Sequence, residues 1–102
     1  MSISVGKYSF KGPYINTINL EDKSGIYAIH CHLGDKYFSI DVGESATVKS
    51  RIETHDRKTC WTKNCSATLT YSVLYTPHLQ QEGRVKSEKE LRNLYDLPCG
   101  EL

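Results

Sequence analysis

Five cations, Lys49, Arg51, Arg57, Lys58 and Lys63, stand against Glu53 and Asp56 within residues 49–63, so five minus two leaves +3 locally. Such a patch can meet phosphates, and it equally suits the solvated end of a helix. Arg51 and His55 are four apart, so they share one helical face. Arg84, Glu88 and Arg92 fall along one line further on, where Glu88 could simply form helical ion pairs. Tyr27 opens a run of alternating residues and falls opposite the apolar Ile26 and Ala28, where an ordinary strand tyrosine would hold its hydroxyl in water. Cys31, Cys60, Cys65 and Cys99 are too few for a disulfide framework in a chain of 102 residues, and without a secretion signal they are expected as reduced thiols. Zinc is the other reading of the cysteines. However, Cys60 and Cys65 have no second matching pair, and strand alternation turns Cys31 away from His30 and His32.

The elements that position these residues can be read from the hydrophobic pattern. Residues 1–23 are expected as an arm or short strand held by Tyr8, Phe10 and Tyr14, with Gly12-Pro13 as a turn signal. Residues 25–32 and 36–43 form a hairpin about Gly34-Asp35. Pairing Ala28 with Ile40 gathers Ile26, Ala28, Phe38, Ile40 and Val42 on one face. Tyr27 then lies opposite Asp41 on the other. Ser45 is the expected N-cap of a helix reaching about His55, with Val48 and Ile52 buried. A loop through Trp61 leads to a strand, "ATLTYSVLY", and a last helix covers about 84–95. Trp61, between Lys58 and Lys63, could stack on an unpaired base or cap the core. The expected fold is α/β in the broad sense (α+β): a mainly antiparallel sheet of about three strands flanked by helices, in the order β-β-α-β-α. Residues 24–102 carry this unit.

Taken together, "GIY" at 25–27, "DVGES" at 41–45, Arg51, His55 and "SEKEL" at 87–91 resemble the GIY-YIG nuclease family, in the order of its motifs and over residues 24–98. "HDRKTCW" and "LPCG" also resemble its small bacterial single-domain members. The resemblance implies metal-assisted hydrolysis of a phosphodiester in DNA, with Tyr27, Arg51 and Glu88 converging on one phosphate. A guanidinium clamps phosphate oxygens with its planar fork. A glutamate can hold Mg²⁺ or Mn²⁺ against the substrate, and Glu88 is the expected metal ligand with Glu90 as the fallback. Tyr27 would orient a water, or act as base if positive charge lowers its pKa. His55 stands at a common family position, with a contact to phosphate or a structural role both open. Two departures follow from the same comparison. Asp41 replaces the tyrosine of the second motif, and "PCGEL" stands where an asparagine is usual. Asp41 could take over the missing tyrosine's work or simply end a strand.

The gross numbers fit this reading without requiring it. Hydrophobic residues at 38% and charged residues at 25% are enough for one soluble domain with its own core. A net charge of +1 does not by itself announce a nucleic-acid binder. No apolar run is long enough to span a membrane, and the expected compartment is the cytoplasm. The expected partner is DNA, branched, nicked or single-stranded, with a homodimer or protein partner also open. The alternative function is an inactive module of the same fold that binds nucleic acid or protein.

Overall fold

The computed structural model describes residues 1–100. Its elements are β1 (Ser2–Val5), β2 (Tyr8–Tyr14), β3 (Gly25–Leu33), β4 (Lys36–Ser45), α1 (Val48–Glu53), α2 (Lys58–Lys63), β5 (Thr68–Tyr75) and α3 (Gln81–Leu94). The strands make one antiparallel sheet in the order β1-β2-β5-β3-β4. The expectation of about three strands is therefore corrected to five. Residues 1–23, read as an arm, supply the two extra strands. Val5 and Phe10 bury fully beside Ile26, Ala28, Val42 and Leu91, so alternation in this segment serves the sheet's own core. The Gly12-Pro13 turn signal falls inside β2, where its register against β5 shifts between Lys11 and Tyr14.

The β3–β4 hairpin turns at Gly34-Asp35 as expected, but its register differs. Ala28 pairs with Val42, Tyr27 with Gly43 and Ile29 with Asp41; after a bulge, His30 pairs with Ser39. The bulge inserts Ile40 as an extra residue and brings it to the Tyr27 face. There it packs with Tyr27, Ile29, Cys31, Val48, Ile52, Trp61 and Val73, whereas Phe38 is left exposed. Both faces of the hairpin are therefore core faces. Tyr27, expected off the core, is 1% exposed.

The helices also shift from the expected pattern. Ser45 ends β4 rather than capping a helix, and its Oγ accepts the Thr47 N–H at 3.0 Å. The expected helix is α1, which ends at Glu53; the expected loop through Trp61 contains a further helix, α2, and α3 starts at Gln81. The last described residues cover the free edge of β4: Cys99 N–H donates to the Ile40 carbonyl at 3.1 Å. No described helix is long and apolar enough to cross a membrane.

The expectation of reduced thiols is overturned. Cys31 bonds Cys65 and Cys60 bonds Cys99, joining residues 34 and 39 positions apart. Neither pair is adjacent in sequence, so only folding brings them together. The first ties β3 to the segment after α2, and the second ties α2 to the C-terminal segment. Loop-closure entropy for separations of this size gives each bond about 4 kcal/mol of stabilisation. The urea midpoint is expected to fall markedly on adding a thiol reductant, and to fall part-way in a Cys60→Ser/Cys99→Ser variant. An unchanged midpoint would show that neither bond restrains the unfolded chain.

Candidate active site

Tyr27 can lie where it does only because Gly43 faces it. A Cβ at Gly43 would stand 2.1 Å from the Tyr27 hydroxyl and 2.2 Å from its Cζ. The tyrosine ring therefore crosses β4 directly over a residue with no side chain.

The turn after α1 brings His55 to the tip of that ring, with Nε2 2.7 Å from the Tyr27 hydroxyl. The Arg57 backbone N–H donates to His55 Nδ1 at 3.0 Å. Nδ1 is therefore an acceptor, the ring proton is on Nε2, and Nε2–H donates to the Tyr27 oxygen. That leaves the phenolic proton free to be donated elsewhere. Asp56 Oδ1 also lies 3.2 Å from Nδ1, but a neutral Nδ1 acceptor offers it no proton. Asp56 takes the Arg51 guanidinium instead, at 3.2 Å. His55 is held neutral: burial, then Arg51 and Arg57, push its pKa down to about 4.

Burial pushes Tyr27 up to about 12, against the opposing pull of the Arg51 and Arg57 charges. It is a neutral phenol at pH 7, a donor and positioner rather than an activated base. The charges of Arg51, Arg57, Asp41 and Glu88 all reach Tyr27. Of the expected trio, Arg51 keeps 39% of its side chain exposed and Glu88 21%. Arg51 and Glu88 are thus partly exposed charges that act on a buried tyrosine–histidine pair.

Glu88 projects from α3, with Oε2 3.6 Å from Arg92 Nε. Burial raises its pKa, Arg92 opposes that, and Glu44 adds to the rise. The Arg84 partner suggested by the sequence belongs instead to Glu44, at 2.9 Å. The fallback Glu90 is engaged elsewhere, on Lys7 at 3.0 Å and the Tyr8 hydroxyl at 2.7 Å. Among the described residues no three His, Cys, Asp or Glu side chains converge on one point. Mg²⁺ commonly keeps several waters and takes one or two carboxylates plus substrate phosphate. The single carboxylate of Glu88 fits that mode and does not fit an all-protein cage.

Asp41 lies in a different environment from the one expected. It pairs with Ile29 rather than Tyr27 and is 0% exposed. Its carboxylate accepts the Arg57 fork at 2.8 and 3.3 Å, Trp61 Nε1 at 2.7 Å, Arg92 Nη2 at 2.6 Å and the Val42 N–H at 2.9 Å. Arg92 Nη2 also reaches the Val42 carbonyl. With five donors on two oxygens, the carboxylate is saturated by the protein. Its work is to fix Arg57, and through Arg57 the N–H that sets the His55 tautomer. Trp61 is 1% exposed and caps the core rather than offering a stacking surface.

The sequence names Arg57 only within the basic run and Arg92 only as a helical partner of Glu88, a pair the fold keeps at 3.6 Å; it gives no sign of their joint hold on Asp41, nor of Glu44. The network forms on the Tyr27 face of the hairpin, where Trp61 also packs. Compared with protein-family models, curated proteins and solved structures, the chain gives no match.

Burial also lowers His30, which bonds the Ser72 hydroxyl at 2.8 Å, to about 4. Two depressed histidines set the acid side of stability. Between about pH 6.5 and 4 the unfolded chain binds protons that the folded chain refuses. Stability should be fully present above pH 6.5 and decline as pH falls through that window. Urea midpoints at pH 7, 5.5 and 4.5 check this, and a flat series would contradict it.

Proposed function

We propose that the chain is a metal-dependent endonuclease of the GIY-YIG type, hydrolysing phosphodiester bonds in DNA. The observation that carries this reading is the Tyr27–His55 hydrogen bond lying within reach of the Arg51, Arg57 and Glu88 charges. Arg51 receives the phosphate oxygens and offsets the charge that grows on them during attack. Tyr27, held by His55, presents its O–H to the attacking water or a phosphate oxygen. Glu88 would hold Mg²⁺ or Mn²⁺, which supplies Lewis-acid polarisation of the phosphate.

A second reading is a module of this fold that binds nucleic acid or a protein partner without cutting. It is favoured by the 1% exposure of Tyr27 and by Asp41, committed to the interior where the family has a second tyrosine. The paired cysteines favour an oxidising surrounding over the cytoplasm.

The test is incubation of the purified chain with branched, nicked, single-stranded and plain duplex DNA, with Mg²⁺, with Mn²⁺ and with chelator. The nuclease reading expects metal-dependent cleavage of at least one form. Binding without cleavage in either metal selects the second reading.

A further inference from the structure

Of the five cations between residues 49 and 63, three, Lys49, Lys58 and Lys63, make no ion pair among the described residues. Arg57 is spent on Asp41 and Arg51 on Asp56, and the charge of Lys49 acts on Asp22, itself bonded to Ser50. Among the described residues Lys58 and Lys63 make no ion pair. Lys58 Nζ donates only to the Glu53 backbone carbonyl, at 2.5 Å. With Thr59 and Thr62 they line one shallow groove along α2, and all four are exposed.

From this arrangement we infer that the α2 groove is a nucleic-acid backbone site, holding phosphates that flank the one at Tyr27. The inference rests on reading the Tyr27 site as one that handles a phosphodiester. The spacing suits a strand. Five residues of helix rise about 7.5 Å between Lys58 and Lys63, comparable to the separation of neighbouring phosphates along one strand. Lys58 with Thr62 and Thr59 with Lys63 form two adjacent i, i+4 rows. The Thr59 hydroxyl stands beside Lys63, whereas the Thr62 hydroxyl donates to the Lys58 backbone carbonyl at 3.1 Å. Arg57, immediately before α2, connects this row to the Tyr27 and His55 environment. The groove carries no aromatic surface, so it grips backbone and reads no base. A polymer with phosphates on both sides of the scissile bond is the substrate this predicts, rather than a mononucleotide or a terminal dinucleotide.

Binding of a labelled 20-nucleotide duplex and of the matching single strand, in chelator so that nothing is cut, tests this. The log of affinity is followed against the log of salt concentration. Removing two phosphate contacts should flatten the slope by about 1.4 for single strand to 1.8 for duplex in the Lys58→Ala/Lys63→Ala variant. The Lys86→Ala/Lys89→Ala variant, on α3, should keep the parent slope. An unchanged slope in the first variant, or equal losses in both, overturns the inference. So does lysine-dependent binding to anionic phosphatidylserine vesicles without any change in the DNA slope. Because cleavage is not read, a flattened slope in a chain that never cuts would refute the nuclease reading and leave the backbone site standing.

Discussion

The Asp41→Asn variant is expected to lose about 3–5 kcal/mol of folding stability, the usual result of stripping one partner from a buried ion pair. The carboxylate has no exposed surface and is the shared anionic partner of Arg57 and Arg92, with Arg92 keeping 7% of its side chain exposed. Asparagine matches the shape but presents an NH₂ where one oxygen stood, facing Arg and Trp donors that need acceptors. Asp41→Tyr should do no better, because a ring cannot enter a site already filled by Trp61 and Arg92. The urea midpoint reads the effect. Any activity should fall with the folded fraction, leaving the Mg²⁺ titration unchanged. A variant of parental stability with an altered metal requirement would instead make Asp41 part of the reaction.

The Tyr27→Phe variant should separate chemistry from folding in the opposite way. Phenylalanine keeps the ring against Gly43 and deletes only the hydroxyl. The cost to stability is about 1–3 kcal/mol, from leaving the His55 Nε2–H without its acceptor. The cost to phosphodiester cleavage is expected to be about 10²–10⁴-fold, the range for removing a group that moves or directs a proton. Single-turnover rates measured under conditions where both proteins are folded give the comparison. Equal rates would reduce Tyr27 to a core aromatic whose hydroxyl satisfies a histidine.

How much of this was legible in the sequence depended on how local each signal was. The Gly34-Asp35 turn, the strand at residues 68–75 and the final helix declared themselves through turn chemistry and periodicity. The first two strands did not, because β2 finds its partner β5 some sixty residues later and a Gly-Pro step interrupts its pattern. The bulge at Ile40 was invisible because strict alternation assumes two residues per pleat. That single insertion moved Ile40 between cores, while Asp41 stayed on the Tyr27 face, which Val48, Ile52 and Trp61 bury. The candidate site divided along the same line. Tyr27 and His55 stand out by type and spacing, and the fold joins them directly. Asp41 was misjudged because its role is defined by Arg57, Trp61 and Arg92, which only tertiary structure assembles. The cysteine pairs failed for the same reason, each bond spanning more than thirty residues.

The central claim is that Glu88 and the Tyr27–His55 pair serve one phosphodiester-hydrolysing site. The most direct measurement is the single-turnover cleavage rate of the Glu88→Gln variant against the parent across a Mg²⁺ titration, with circular dichroism monitoring the fold. The Glu88 carboxylate is partly exposed and stands 3.6 Å from Arg92 Nε, so the variant should fold as the parent does. It should lose cleavage at every Mg²⁺ concentration. Cleavage at the parental rate and metal dependence would contradict the account.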